Sequence, residues 1–212
     1  MYPSPRYVTA PRAIERFVNS QRHGTLIATP PDGHPQISML PFVKTGDHIE
    51  IHCVQADPTF HALMVNPRVT FLVSDFLAFS PHDWIDPQDA GRATLHFRAV
   101  AFECHASYST DPADVAGALS RLLAAYEPEA NYVPMQDGDF YGGRLRRLAA
   151  VQLAIVATQA KFKVGPASPP EDARQRTVTG LRARKAEGDA RAAAAIEAAI
   201  ADPPDRQSGQ AV

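Results

Sequence analysis

The sequence predicts a mainly β fold with flanking helices (α+β), built around a small barrel of short antiparallel strands. Six runs rich in β-branched and aromatic residues predict the strands, because such side chains suit a pleated, half-buried surface. Turn-type sequences join the first three runs, with no crossover helix between them, which disfavours a parallel sheet. Helical periodicity recurs between and after the runs, so we expect helices to pack on the openings of the barrel.

Residues that favour turns separate the predicted strands. Pro-Pro-Asp-Gly at 30–33 and Lys-Thr-Gly-Asp at 44–47 are typical of hairpin connections, because Gly and Asp tolerate the backbone conformations of tight turns. The predicted strands cover residues 24–29, 36–43, 48–54, 68–75, 93–107 and 151–158.

Two Asp-Pro pairs predict the starts of helices. Asp at an N-cap accepts hydrogen bonds from free backbone amides, and Pro suits the first helical position because it has no amide hydrogen to leave unpaired. Asp57-Pro58 precedes a predicted helix at 59–66, and Asp111-Pro112 precedes a longer one that ends at Glu127-Pro128. Periodicity predicts further helices at 12–21, 171–186 and 189–201. We therefore expect a domain at 1–165, a helical extension at 166–202 and a disordered tail at 203–212.

Composition excludes several classes of function. The 212 residues are 45% hydrophobic and carry a net charge of −2, which indicates one sizeable core and no general affinity for nucleic acid. Residues 161–191 hold eight basic and four acidic side chains, so a DNA contact is conceivable only there, and a solvated helix face is the simpler interpretation. Two cysteines, no signal-type start and no apolar stretch of membrane length predict a cytoplasmic protein without a membrane contact.

Common catalytic and metal-binding motifs are absent from the sequence. It contains no Gly-x-Gly-x-x-Gly, Walker-type loop, Gly-x-Ser-x-Gly, His-Glu-x-x-His or Cys-x-x-Cys. The histidines show no helical i, i+4 pairing, so no metal site is expected. No catalytic residue can be nominated.

A series of motifs occurs in a defined order. They are Gly-Thr-Leu-Ile-Ala-Thr at 24–29, Gly-His-Pro-Gln-Ile-Ser-Met-Leu-Pro-Phe at 33–42, the run at 49–54, a short helix, and Asn-Pro-Arg-Val at 66–69. This order resembles the FMN-binding split barrel of the pyridoxamine 5′-phosphate oxidase superfamily. Motifs at 1–7, 40–42, 52–58 and 161–163 are most similar to those of the PaiB-type FMN-binding negative transcriptional regulators. The resemblance covers about residues 1–185.

The resemblance implies a homodimer of six-stranded antiparallel split β-barrels with FMN at the dimer interface. It places the backbone of one strand along the edge of the flavin ring, polar groups of the next strand and short helix near the phosphate, and two late lysines beside them. The implied cofactor-binding residues are Gln36, Ile37, Ser38, Met39, His52, Cys53, Gln55, Thr59, Lys161 and Lys163.

The chain departs from the family pattern where the phosphate is expected. Asp57-Pro58-Thr59 stands where the oxidases carry Ser-Arg-Lys, and Gln55 stands where PaiB-type proteins usually have Arg. Charge-assisted hydrogen bonds to phosphate are about twice as strong as neutral ones. We therefore expect weak binding of FMN.

Three functions remain open from the sequence. The first is a flavin-binding homodimer with a redox or transcription-regulatory role, and whether it is a flavin-dependent oxidoreductase stays undecided. The second is a binding or regulatory module whose flavin site has decayed and whose output is contact with protein or DNA. The third is the same barrel holding haem, with His52, His61, His96 or His105 as axial ligand.

Overall fold

The chain forms two compact units in a computed structural model that describes residues 1, 7, 9–166, 170 and 172–201. The first unit comprises Arg16–Val73 and Ala101–Gln159, and the second comprises Met1–Glu15, Ser74–Val100 and Ala160–Val212. The predicted tail at 203–212 and most of the motif at 1–7 lie outside the described residues. The predicted domain boundary at 165 stays a prediction.

A mainly antiparallel sheet with flanking helices confirms the predicted fold class. Its seven strands are β1 Gly24–Ala28, β2 Gln36–Leu40, β3 Val43–Thr45, β4 His48–Val54, β5 Arg68–Ser80, β6 Thr94–Ser109 and β7 Leu148–Lys163. They follow the order β2-β1-β5-β6-β7-β4-β3. The predicted barrel is not closed, because β2 and β3 at the two ends of this order do not pair with each other.

The predicted number of six strands was wrong because the run at 36–43 forms two strands. Pro41 lies between β2 and β3, and a proline cannot donate a hydrogen bond to a neighbouring strand. β2 pairs with β1, whereas β3 pairs with β4, so the two halves of the predicted strand lie at opposite ends of the strand order. β3 and β4 are joined by a two-residue turn in which Gly46 has φ 57°.

The core of the first unit follows from strand alternation. On β4, Ile49, Ile51 and Cys53 are buried, while the residues between them are half-buried. Their register partners on β7, which are Leu153, Val151 and Ala149, are buried as well. One face of β4 and β7 is therefore core, and the helix α3, Pro112–Tyr126, packs on the same unit through Val115 and Ala116.

Both Asp-Pro pairs start helices as predicted. The Asp57 carboxylate accepts the amide of Thr59 at 2.8 Å, and Asp111 accepts the amide of Ala113 at 2.8 Å. The helices are α1 Pro11–Asn19, α2 Pro58–Val65, α3 Pro112–Tyr126, α4 Gly142–Leu145, α5 Ala173–Arg184 and α6 Asp189–Ala201. The short α4 was not predicted. None of the helices in the described residues has the length and apolar character needed to cross a membrane.

The second unit has its own hydrophobic cluster. Leu77 and Ala78 of β5 pack with Val178 and Leu181 of α5, and Ala192, Ala193 and Ile196 of α6 belong to the same cluster. Small alanine side chains allow α6 to approach its neighbours closely. The helices that the sequence predicts after residue 170 thus bury apolar surface within this unit.

Candidate functional site

β2 is an edge strand with two different faces. It pairs with β1 on one side, and no strand among the described residues pairs with its other side. Ile37 and Met39 point outward and are 65% and 73% exposed, whereas Ser38 between them is half-buried and faces α2. The free edge leaves backbone amide and carbonyl groups available to a ligand. A flat ring could therefore meet both polar backbone groups and apolar side chains here.

Ser38 belongs to a hydrogen-bonded group at the start of α2. Its hydroxyl donates to the Asp57 carboxylate at 3.0 Å and lies 2.8 Å from the hydroxyl of Thr59, which is 1% exposed. The same carboxylate accepts the Thr59 amide. The structure thus brings together two predicted site residues, and an acidic side chain joins them.

Gln55 is fixed to the backbone that precedes and begins β7. Its side-chain amide donates to the carbonyls of Arg146 at 3.1 Å and Leu148 at 2.9 Å. Its backbone amide donates to the carbonyl of Arg147 at 2.9 Å. The side-chain donors that the resemblance assigns to a ligand are therefore bonded to the protein, and the basic sequence Arg-Leu-Arg-Arg at 144–147 lies beside them.

His52 and Cys53 face opposite sides of β4. Burial, followed by the negative charge of Asp57, raises the pKa of the Cys53 thiol to about 12, so the thiol is protonated at neutral pH. His52 lies on the side of α3, next to Ala118 and Leu122, and burial lowers its pKa. Neither side chain supplies a positive charge at neutral pH.

The remaining predicted residues lie elsewhere along the chain. Gln36 donates its side-chain amide to the carbonyl of His34 at 3.0 Å. Lys161 and Lys163 are half-buried at the end of β7 and belong to the second unit. Phe162 between them packs against the hydrophobic cluster of that unit.

The donor set of β2 and α2 fits one part of a flavin better than the other. A flavin ring is uncharged and flat, and the exposed edge and outer face of β2 offer backbone hydrogen bonds and apolar contact to such a ring. A phosphate is a dianion, and the Asp57 carboxylate stands within the group formed by Ser38 and Thr59. Like charges at this distance repel each other, so the residues fit the ring and do not fit a phosphate at the start of α2.

A separate groove of about 430 Å³ lies on the first unit between α3 and the strands. Glu50 and Arg121 face each other across it in a bidentate ion pair with N to O distances of 2.7 and 2.8 Å. None of the predicted site residues lines this groove. Arg121, the cation that lines the groove, is already paired with Glu50, so the groove does not offer a flavin phosphate an unpaired cation.

The histidines do not form a metal site within the described residues. His96 is fully buried, with Nε2 2.6 Å from the Ser80 hydroxyl and Nδ1 accepting the Gly165 amide at 3.1 Å. Both ring nitrogens are therefore occupied by the protein, and His96 offers no free nitrogen to an iron ion. His61 and His105 are exposed.

Comparison with protein families and solved structures gives one family and one fold. A family model described as "Putative FMN-binding domain" matches residues 1–157. No curated protein matches the chain.

Several solved structures share the fold at low sequence identity. A FAD- and haem-binding protein from Mycobacterium smegmatis is 18% identical with a TM-score of 0.59, and the match covers 82% of this chain and 80% of that one. The flavocytochrome Anf3 from Azotobacter vinelandii is 17% identical with a TM-score of 0.58 and the same coverages of 82% and 80%. A conserved hypothetical protein from Mycobacterium tuberculosis is 20% identical with a TM-score of 0.53, covering 77% of this chain and 91% of that one.

Proposed function

Because the chain belongs to the family of FMN-binding domains, we propose that it binds the ring of a flavin along the free edge of β2. The observation that carries this proposal is the arrangement of residues 36–40, where an unpaired strand edge lies beside two exposed apolar side chains. The solved structures with a similar fold include a flavocytochrome and a FAD- and haem-binding protein, which supports a planar cofactor as the ligand.

The neighbours of β2 extend its apolar face. Ile37 is the register partner of Ile27 on β1, and Met39 is the partner of Thr25, which in turn pairs with Leu72 on β5. Paired residues in a sheet point to the same face, so these side chains form one surface. This surface can shield one side of a ring from water while the backbone of β2 bonds to its edge. A bound flavin would supply electron or hydride transfer, and we propose no catalytic side chain.

We expect the purified protein to bind riboflavin and FMN, because the ring that they share makes the proposed contacts. Titration followed by quenching of flavin fluorescence measures both dissociation constants.

Ile37→Glu should weaken the binding of both flavins to the same extent, because it places a negative charge on the proposed ring surface. Val65→Glu is the matched control, since Val65 and Ile37 are each 65% exposed. Equal effects of the two substitutions would contradict a ring site on β2.

The absorbance spectrum of the purified protein distinguishes haem from flavin. Of the four candidate axial ligands, His96 has both nitrogens engaged, which leaves His52, His61 and His105. A haem spectrum without flavin bands would show that the same fold carries the other cofactor. A spectrum with neither cofactor, together with no binding in the titration, would support a module whose flavin site has decayed.

We further propose that the protein is a homodimer that uses the outer face of β2, β1 and β5. Exposed edge strands with apolar side chains are uncommon in proteins that remain monomeric, because they invite pairing with another chain. A second copy placed against Ile37 and Met39 would cover the most exposed apolar residues of β2. In this arrangement the flavin ring and the partner share the face.

We expect a dimer of the wild-type chain at micromolar concentration, measured by light scattering. Ile37→Glu should shift the mass toward the monomer, because two charged side chains would meet across a self-complementary interface. Val65→Glu introduces the same charge at an equally exposed residue and should leave the dimer intact. A wild-type monomer, or a dimer that tolerates Ile37→Glu, would contradict the interface.

A regulatory role, which the resemblance to PaiB-type proteins implies, receives no support from the basic residues of α5 and α6. Four of the five arginines in these helices face carboxylates, in the pairs Arg176 with Asp172, Arg182 with Glu197, Arg184 with Asp189, and Arg191 with Asp75. A paired guanidinium has less charge to offer a nucleic acid phosphate. We therefore propose that any regulatory output acts through the ligand or a protein contact and not through DNA at these helices.

A further inference from the structure

We propose that Arg144 and Arg147 bind the phosphate of the flavin, a role that rests on the proposed binding of the ring at β2. The two residues belong to the basic sequence at 144–147, which lies at α4 and directly after it. Both side chains are exposed, and neither forms an ion pair with any residue that the structure describes. Arg146 between them differs, because it is held by Asp137 at 2.9 and 3.0 Å.

Aromatic residues lie next to these arginines. Phe140 and Tyr141 pack edge to face with ring centroids 4.7 Å apart, and Phe140 is 62% exposed. The guanidinium carbon of Arg144 lies 5.6 Å from the centroid of Phe140 and 6.0 Å from that of Tyr141. Cations held over aromatic rings keep their charge and gain a defined position. The surface thus combines exposed aromatic area with fixed positive charge, which suits a phosphorylated aromatic ligand.

Arg147 has free hydrogen-bonding capacity. Its Nε donates to the carbonyl of Gly143 at 3.1 Å, which orients the guanidinium. The two terminal nitrogens, with four N–H donors, have no bonded partner among the described residues. A guanidinium fork of this kind matches two phosphate oxygens.

A chain of contacts joins this surface to β2 within the first unit. Ser38 of β2 bonds to Asp57, and Gln55, two residues earlier, bonds to the carbonyls of Arg146 and Leu148. In the proposed arrangement, a ligand with a ring at one end and a phosphate on a flexible chain at the other extends from the edge of β2 toward the arginines. The phosphate end would pass Gln55 rather than stop at the start of α2.

The start of α2 is the competing location for the phosphate. There the hydroxyls of Ser38 and Thr59 bond to each other, and the Asp57 carboxylate accepts the Ser38 hydroxyl and the Thr59 amide. A phosphate at that position would compete with the cap of α2 and face the negative charge of Asp57. Arg144 and Arg147 present positive charge and form no ion pair with a carboxylate among the described residues. Electrostatics therefore favour the arginines over the start of α2 as the binding site of the phosphate.

The test compares FMN with riboflavin, which lacks the phosphate. We expect Arg147→Gln to raise the dissociation constant of FMN about tenfold and Arg144→Gln to raise it by a smaller factor, with riboflavin unchanged. Arg68→Gln is the control for net charge, because Arg68 is exposed in the same unit and its backbone amide, not its side chain, donates to the Asn66 side-chain carbonyl. Circular dichroism of each variant verifies the fold.

The outcomes separate this proposal from the proposed function. If riboflavin binds but Arg144→Gln and Arg147→Gln leave the dissociation constant of FMN unchanged, the phosphate site is overturned. The proposed ring site is not affected by that result. A loss of FMN affinity in Thr59→Val instead of the arginine variants would place the phosphate at α2. An equal loss in Arg68→Gln would show a general effect of charge and would also overturn the site. Failure of both flavins to bind the wild type would overturn the proposed function itself.

Discussion

Gly188→Ala is expected to lower the free energy of unfolding by about 2–5 kcal/mol. Gly188 has φ 82°, a backbone conformation that costs an L residue free energy. A Cβ atom there would also lie 1.8 Å from the carbonyl oxygen of Leu77 on β5. The oxygen belongs to the backbone of a strand, so it cannot move aside as a flexible side chain could. The substitution therefore combines backbone strain with a steric conflict.

Gly46→Ala separates the two contributions. Gly46 also has a positive φ of 57°, but a Cβ atom at this turn would meet nothing within 4 Å. We expect this control to cost only about 1–2 kcal/mol from backbone strain. Urea unfolding followed by far-UV circular dichroism gives both values. Equal costs for the two substitutions would show that Gly188 does not approach Leu77 as closely as the structure indicates.

Gly188 matters because it lies between α5 and α6. Its carbonyl accepts the amide of Ala192 at 2.9 Å in the first turn of α6, which then contributes Ala192, Ala193 and Ile196 to the hydrophobic cluster of the second unit. Displacing the connection would move these residues out of contact with Leu77 and Ala78. The expected cost therefore includes packing as well as the local conflict.

Local sequence signals predict those elements whose hydrogen bonds are local. Asp57 and Asp111 each cap a helix through an amide two residues away, so the sequence alone contains both partners. The split of the run at 36–43 depends on a choice of partner strand. Pro41 marks a break, but only the fold shows that β2 joins β1 while β3 joins β4.

The candidate site depends on contacts that are distant along the chain. Gln55 bonds to carbonyls 91 and 93 residues away, and its position beside the basic sequence at 144–147 cannot be read from either segment alone. The basic region at 161–191 shows the same limit. Arg191 is paired with Asp75, which is 116 residues away, so a local count of charge overstates the charge that this region can offer to DNA.

The role of His96 depends on its burial, which the sequence does not show. By sequence it is one of four candidate axial ligands, yet in the fold it joins Ser80 of β5 to the backbone after β7. Because Nδ1 accepts the Gly165 amide, we assign the ring proton to Nε2, where it donates to Ser80. This neutral tautomer satisfies both partners, and a second proton would remove the acceptor of Gly165.

Stability is expected to fall by about 3 kcal/mol between pH 6.5 and pH 4 through His96 alone, since a pKa lowered from 6.5 to about 4 corresponds to that free energy. Burial is the main cause of the lowered pKa, and the positive charges of Lys163 and Arg184 add to it. Between the two pKa values the unfolded chain binds a proton at this residue and the folded chain does not. Protonation therefore favours unfolding as the pH falls through this window, and stability from this residue is complete above about pH 6.5.

His96→Gln removes the titrating group while keeping an amide that can meet Ser80 and Gly165. At pH 7 the variant should be less stable than the wild type, but the difference should shrink toward pH 4, because only the wild type carries the protonation cost. Urea midpoints measured from pH 7 to pH 4 test this, and His61→Gln, which removes an exposed histidine, is the control that should keep the wild-type dependence. Other groups that titrate in this range are present in both proteins and cancel in the comparison. If the urea midpoints of the wild type and His96→Gln follow parallel curves against pH, His96 accepts a proton in the folded protein as readily as in the unfolded chain. That result would contradict a buried ring with both nitrogens hydrogen-bonded.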